Sequence, residues 1–252
     1  MLYLAACGGS GSRLSPATKF VNKHLLPVGD GDLMVDLPLR FLSWHNIKEA
    51  SVVTGTNHAS QVMDHIEDGA RYGFSLVEYF AQPRPAGISD VLNRVSHRDV
   101  EDGVVMILGD NYFEKPQESL ASIVSRSVDL SRAVAWEYDI GDSRLAQRFG
   151  QAFRDEHGEL TDIIEKPAIP SHPRILVGLY YFPGDVFEYV AKLSPSARGE
   201  LEITSLLKSY LKMGRLDIHV VEGKWADLGE WGSWQKFVGE RYLDGSKENR
   251  LE

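Results

Sequence analysis

Short apolar runs alternating with stretches of helical spacing set the pattern of this chain. "LYLAAC" (2–7), "SVVTG" (51–55), "SLVEYF" (75–80), "VVMILG" (104–109) and "AVAWEY" (133–138) have the length, β-branching and flanking turns of strands. Between them, residues 35–47, 59–73, 88–100 and 118–128 carry apolar side chains at helical intervals and predict helices. Strictly alternating strands and helices predict a largely parallel sheet with helices on both faces, because parallel neighbours need long crossovers. Beyond about residue 145 the pattern loosens. "GQAFRDEHGELTDIIEK" reads as two short strands joined at His157-Gly158, and "ILVGLYYF" (175–182) as another strand. Helices follow at about 184–193 and 203–213, then the strand "DIHVVEG" and a last helix from about 230 to 243. These elements predict one domain over 1–243, with a first part over about 1–140, a smaller β-rich part over about 141–229, and a polar tail at 244–252.

Composition narrows the function classes. The 252 residues are 43% apolar and 25% charged, which suits a soluble globular protein with a full core. The formal net charge of −9 argues against a nucleic-acid polymer as partner, since that needs a concentrated basic surface. A local basic pocket for a small phosphorylated ligand stays open. No run is apolar enough to span a membrane, and the N-terminus lacks a signal peptide's basic start. The single cysteine, Cys7, forbids an intramolecular disulfide and suits a reducing, cytoplasmic setting.

The first strand runs into "CGGSGSRLSPATKFVNKHLLPV" (7–28), where Gly8, Gly9 and Gly11 precede Ser12, Arg13, Lys19 and Lys23. A Walker A loop needs Gly-Lys-Ser/Thr, and here Gly11 is followed by Ser12 and Arg13. A dinucleotide fingerprint needs a third glycine where Leu14 stands, and Pro16 interrupts the helix that should follow. What remains is a loop whose backbone can approach a nucleotide, backed by an arginine fork and a lysine point charge. That division of labour suits a triphosphate, whose leaving group and reacting phosphorus need separate neutralisation.

The same segment resembles the signature Gly-Gly-x-Gly-Thr-Arg-Leu-x-Pro-x-Thr…Lys-x-Leu-x-Pro of the sugar-phosphate nucleotidylyltransferases. The resemblance recurs at "QPRPAGISD" (82–90), "LGDNYF" (108–113), "IIEKP" (163–167), "VGLYYF" (177–182), "LSPSARGELEIT" (193–204) and "WADLG" (225–229). These motifs run in the family's order along nearly the whole chain, and "SPSARGELEIT" is similar to its thymidylyltransferase branch. The resemblance implies a Rossmann-like, mixed and mostly parallel sheet of the nucleotidyltransferase (GT-A-like) kind, with a small β-rich sugar-binding lobe. It makes 1–140 the nucleotide-binding part and 141–229 the sugar-binding part.

The implied reaction is Mg2+-dependent transfer of a nucleotidyl group from dTTP to glucose 1-phosphate, giving dTDP-glucose and pyrophosphate. A uridylyltransferase, a thymidylyltransferase for another sugar 1-phosphate, and a non-catalytic nucleotide-sugar-binding regulator are the alternatives. By resemblance Asp110 and Asp227 hold Mg2+, Arg13 grips the β- and γ-phosphates, and Lys23 neutralises the α-phosphate and the sugar phosphate. The resemblance gives Gly8, Gly9, Gly11, Ser12, Gln82 and Gly87 to the nucleotide. Gln82 is suited to a pyrimidine edge because its amide both donates and accepts. Lys166 is implied at the sugar phosphate, with Asn111, Glu165, Glu200 and the backbone at Gly150 and Val177 at the sugar hydroxyls. Glu202 is expected to cap the helix starting near Ile203, and Arg198 to act as a structural partner there.

Several positions depart from the family pattern: Cys7 replaces alanine, Ser12 threonine and Phe149 tyrosine, and "AGISD" and "WADLG" are altered. The phosphate and metal residues are all present. Longer relatives continue into C-terminal helices that help form a regulatory site, so product inhibition by that route is expected to be weak or absent. A homo-oligomer is expected, with no membrane partner.

Overall fold

The structure is a computed structural model, and it describes residues 1–98, 100–117 and 120–248, the last six by their backbone alone. In chain order the strands are β1 (Leu2–Cys7), β2 (Pro27–Gly29), β3 (Asp32–Leu33), β4 (Glu49–Gly55), β5 (Leu76–Gln82) and β6 (Val104–Leu108). There follow β7 (Asn111–Phe113), β8 (Ala133–Asp139), β9 (Gly150–Arg154), β10 (Leu160–Glu165), β11 (Arg174–Phe182), β12 (Leu216–Val220) and β13 (Trp225–Asp227). The helices are α1 (Asp36–Trp44), α2 (Ala59–Ile66), α3 (Ile88–Arg94), α4 (Leu120–Leu130), α5 (Ser143–Ala146), α6 (Val186–Val190), α7 (Ile203–Lys212) and α8 (Trp231–Glu248). Seven strands form a mixed, mostly parallel sheet in the order β12-β8-β11-β6-β1-β4-β5. Among the described residues no helix is long and apolar enough to cross a membrane.

The chain divides into two compact units that are interleaved along the sequence. The first unit takes Met1–Leu2, Ala86–Met106 and Gln117–Glu222; the second takes Tyr3–Pro85, Ile107–Pro116 and the chain from Gly223 on. Two expectations shift. The helix predicted over 59–73 stops at Ile66, because Glu67 turns to φ 57° and Gly69 to φ 80°, after which only a 3-10 turn forms at Ala70–Tyr72. The predicted polar tail is helical as far as Glu248, and residues 249–252 lie outside the described residues. The helix predicted over 118–128 is described from Leu120 on, and residues 118 and 119 lie outside the described residues.

In the second unit β1, β4 and β5 are parallel and in close register, so Cys7 pairs with Thr54 and Gly55 with Gln82. Three strands therefore end along one line, the edge where parallel sheets of this kind present ligands. A second layer lies under the glycine-rich loop. Leu14, Leu26, Val28, Met34, Leu37, Leu228 and Phe237 form a buried cluster with Trp231 and Trp234 packed on it. Burying a leucine such as Leu14, which is fully enclosed, stabilises by about 1.5–3 kcal/mol and anchors the loop next to Arg13.

In the first unit β11 is antiparallel to β8, and β12 is parallel to it. The β8–β11 ladder breaks register between Leu176 and Tyr180, around Val177. Buried Glu137 on β8 takes both guanidinium ends of Arg154, at 3.2 and 3.1 Å. The hairpin of β9 and β10 sets Gly150 opposite Glu165, as the predicted pair of strands requires.

One ionic network fixes α1. The Asp36 carboxylate, almost wholly buried, accepts from the Leu33 amide at 2.6 Å, from Arg71 at 2.7 Å and from the Tyr72 hydroxyl, and His65 lies 2.9 Å from it. Burial alone would raise its pKa, but the bonds from Tyr72, Leu33 and His65 outweigh burial and hold it below the ordinary carboxylate value. A depressed carboxyl contributes stability above its unfolded pKa and loses it as pH falls through the folded value. Asp36→Ala is expected to cost about 2–4 kcal/mol in urea denaturation at pH 7, because it strands several donors. The difference from wild type should shrink as the pH is taken below the ordinary aspartate range. A gap that stays constant with pH contradicts this account.

Candidate active site

The last residues of β1, β4 and β6 build the floor of the site in the second unit. β1 ends at Cys7, and the Gly109 amide after β6 donates to the Ala6 carbonyl at 2.9 Å, so Asp110 emerges beside the glycine-rich loop. Gly109 has no room for a side chain. A Cβ there would stand 2.7 Å from Cys7 Sγ and from His24 Cδ2. The loop itself turns through Gly9 and Gly11, at φ 97° and 63°, into the 3-10 turn Ser12–Leu14 that carries Arg13. A Cβ on Gly8 would meet the side-chain oxygen of Gln82, so these two predicted nucleotide residues are immediate neighbours.

Lys23 is positioned from below. It opens a 3-10 turn, Lys23–Leu25, capped by Asn22, whose side-chain oxygen accepts from the His24 amide at 3.0 Å and lies 2.9 Å from His24 Nδ1. The Asn22 amide reaches back to Thr54 Oγ1 at the end of β4, at 3.2 Å. Lys23 Nζ then donates to Asp110 Oδ2 at 2.5 Å. Lys23, the lysine that the family spacing selects, thus reaches Asp110. Asn22 and His24 were not singled out by their sequence context, since their partners lie on distant strands.

Asp227 arrives by a short ladder of β7 with β13, in which Asp227 pairs with Asn111 and Trp225 with Phe113. The Leu228 amide also donates to the Asp110 carbonyl at 2.8 Å. A Cβ on Gly229 would lie 3.0 Å from both Asp110 Oδ2 and Asp227 Oδ1, so those oxygens are no more than twice that distance apart. Burial would raise both carboxyls. At Asp110 the Lys23 charge and the Lys23 bond win, and its pKa falls well below the usual range. At Asp227 burial and the Asp110 charge win, and its pKa rises to about 6. Such a pair attracts a cation. Among the described residues no cluster of three or more His, Cys, Asp or Glu side chains forms, and two carboxylates suit Mg2+, which keeps phosphate and water ligands.

Cys7 is fully buried, and burial pushes its thiol up to about 12, so it packs rather than reacts. Burial, then the Lys23 charge, lowers His24 to about 3, which keeps its ring neutral.

In the first unit Glu165 and Glu200 meet at Arg198. Its guanidinium lies 3.1 Å from Glu165, 3.8 Å from Glu200 and 2.8 Å from Glu202, a structural role as expected. Glu202 occupies the cap position of α7, but its carboxylate bonds Arg198 and Ser196 Oγ instead of the helix end. Thr204, which no sequence motif marks, touches Glu165 at 3.3 Å and packs on Gly150. Lys166 takes φ 46°, rare for a side-chain-bearing residue, and its ammonium lies 3.7 Å from Glu165. Val177 is buried in β11. Gly87 belongs to this unit too. At φ 102° its missing Cβ would fall 2.5 Å from Leu201 N and O, so its close backbone approach is to Leu201.

Packing at Gly109 makes a testable point. Gly109→Ala should destabilise by about 1–3 kcal/mol in chemical denaturation, because Cys7 Sγ and the His24 ring must both move. Adding Cys7→Ala should restore part of that loss, since it removes one of the two clashing atoms. Strictly additive effects would sink the packing argument.

Residues 4–239 match the family described as Nucleotidyl transferase. The chain is 34% identical over 226 residues to the low-salt glycan biosynthesis nucleotidyltransferase Agl11 of Haloferax volcanii, covering 88% of this chain but only 61% of that protein. It is 35% identical to glucose-1-phosphate thymidylyltransferase of Xanthomonas campestris pv. campestris, covering 88% of this chain and 74% of that one. A Bacillus anthracis crystal structure, described as a glucose-1-phosphate thymidylyltransferase with a sucrose, superposes with TM-score 0.85 at 32% identity, covering 96% of this chain and 95% of that one. UDP-glucose pyrophosphorylase with UDP-glucose superposes at 0.82 with 19% identity, over 97% and 100% of the two chains, a likeness of fold alone.

Proposed function

Because this chain belongs to the nucleotidyl transferase family and is a nucleotidyltransferase, we propose that it transfers a thymidylyl group from dTTP to glucose 1-phosphate. An oxygen of the sugar phosphate attacks the α-phosphorus, the bond to the β-phosphate oxygen breaks, and pyrophosphate leaves with dTDP-glucose as the other product. No proton moves and no enzyme-bound intermediate forms, so the protein's contribution is positioning and charge neutralisation.

The observation that carries the reading is the convergence of Arg13, Lys23, Asp110 and Asp227 in the second unit. Lys23 spends one ammonium donor on Asp110 and keeps the others for the α-phosphate and the sugar phosphate. Arg13 offers its fork to the β- and γ-phosphates. Asp110 and Asp227 would hold Mg2+, which supplies charge neutralisation between the two polyanions. Gly8, Gly9, Gly11 and Ser12 carry the nucleotide's phosphates and ribose past the backbone, and Gln82 reads the pyrimidine edge. Lys166 takes the sugar phosphate, and Asn111, Glu165, Glu200, Gly150 and Val177 take the sugar.

The test is pyrophosphate release with a matrix of nucleoside triphosphates and hexose 1-phosphates, with and without Mg2+. The dTTP and glucose 1-phosphate pair with Mg2+ is expected to give the highest kcat/KM. A higher value with UTP or another sugar reassigns the substrate, and no turnover with any pair overturns the enzyme reading. Asp110→Asn should lower kcat by at least about a hundredfold with little change in melting temperature. A near-normal rate removes Asp110 from the reacting centre.

A further inference from the structure

Helix α8 is tied to the segment between the glycine-rich loop and β3 at several points. Trp231 Nε1 donates to the Ser15 carbonyl and Trp234 Nε1 to the Pro27 carbonyl, both at 2.9 Å, and Arg241 bonds Asp30 at 2.8 Å. Immediately before that turn, Glu230 Oε1 accepts from Arg13 Nη1 at 2.9 Å. A Cβ on Gly229 would lie 3.5 Å from Arg13 Nη2 and 3.0 Å from the Asp110 and Asp227 oxygens, so Nη2 is no farther from either oxygen than the sum of those two distances.

We propose that Glu230 is a positioning residue for the triphosphate: it holds Arg13 by one edge and thereby presents the other edge to the β- and γ-phosphates. The inference rests on the nucleotidyl-transfer reading above. Two effects of Glu230 oppose one another. Its charge competes with phosphate for Arg13, whereas its bond removes rotamer freedom from a long side chain that is 59% exposed. Competition is the smaller effect, because an exposed ion pair is screened by water. Among the described residues only Nη1 of Arg13 has a hydrogen-bond partner, which leaves Nη2 and Nε for phosphate oxygens, so the bond aims the fork without consuming it. Glu230 also stands at the start of an 18-residue helix, where a carboxylate is stabilised by the helix dipole, so the anchor is itself held. A glutamine would keep the acceptor and lose the charge.

The experiment compares wild type, Glu230→Ala and Glu230→Gln by KM for the triphosphate, KM for pyrophosphate in the reverse reaction, KM for the sugar 1-phosphate, and calorimetric binding of dTTP. Glu230→Ala is expected to raise the triphosphate and pyrophosphate KM values and weaken dTTP binding, each roughly tenfold. The sugar 1-phosphate KM and the melting temperature should stay unchanged, and Glu230→Gln should recover most of the loss. Unchanged or tighter triphosphate binding in Glu230→Ala overturns the proposal, as does an equal rise in every KM. If wild type binds dTTP without turning over, the transfer reading fails and the binding comparison still decides the role of Glu230. If wild type binds no triphosphate, both fall.

Discussion

Two carboxylates drawn from distant stretches of the chain, Asp110 and Asp227, are held side by side against their mutual repulsion. The β7–β13 ladder and the bond from the Leu228 amide to the Asp110 carbonyl impose that arrangement, and Lys23 offsets part of its charge. The asymmetry of the pair follows from where Lys23 sits. Asp110 has the ammonium and stays ionised, while Asp227, enclosed and facing Asp110, has its proton affinity raised. Everything nearby serves to keep these charges in place: Gly109 lets β6 run close to Cys7 and His24, and Asn22 fastens the lysine's turn to Thr54. A site that concentrates negative charge beside fixed cations suits a reaction in which two phosphorylated molecules and a divalent ion come together.

The local chemistry of this site was legible in the sequence because it sits next to strands that declare themselves. "LYLAAC" and "VVMILG" are strands by their runs of apolar and β-branched residues, and the loops directly after them carry Arg13, Lys23 and Asp110. The failed Walker and dinucleotide patterns were informative, since the loop turns through glycines at positive φ into a single 3-10 turn rather than a long helix. Family resemblance added Asp227, which no periodicity could have found. Its strand is three residues long and pairs with another of three, too short for any alternation to register.

What stayed hidden has a common physical cause: it consists of pairs whose members are far apart in sequence. Asn22 and Thr54, Thr204 and Glu165, and Arg13 and Glu230 are each unremarkable alone and acquire a role only when the fold brings them together. Helix ends behaved similarly. Residues 59–73 carry helical spacing throughout, yet Glu67 adopts a left-handed φ and the helix stops, a local conformational choice that hydrophobic periodicity does not encode. The interleaving of the two units is likewise invisible to composition, since segments 86–106 and 107–116 adjoin without any change of character and part company only in their packing.

We propose that the Asp110–Asp227 pair is a divalent-cation site shared with nucleotide phosphates. Titration with Mn2+ followed by electron paramagnetic resonance, with and without dTTP, tests it most directly in wild type and Asp227→Asn. The account predicts that dTTP tightens Mn2+ binding in wild type and that Asp227→Asn loses most of that tightening while remaining folded. Equal binding in the two proteins, with no enhancement by dTTP in either, contradicts it.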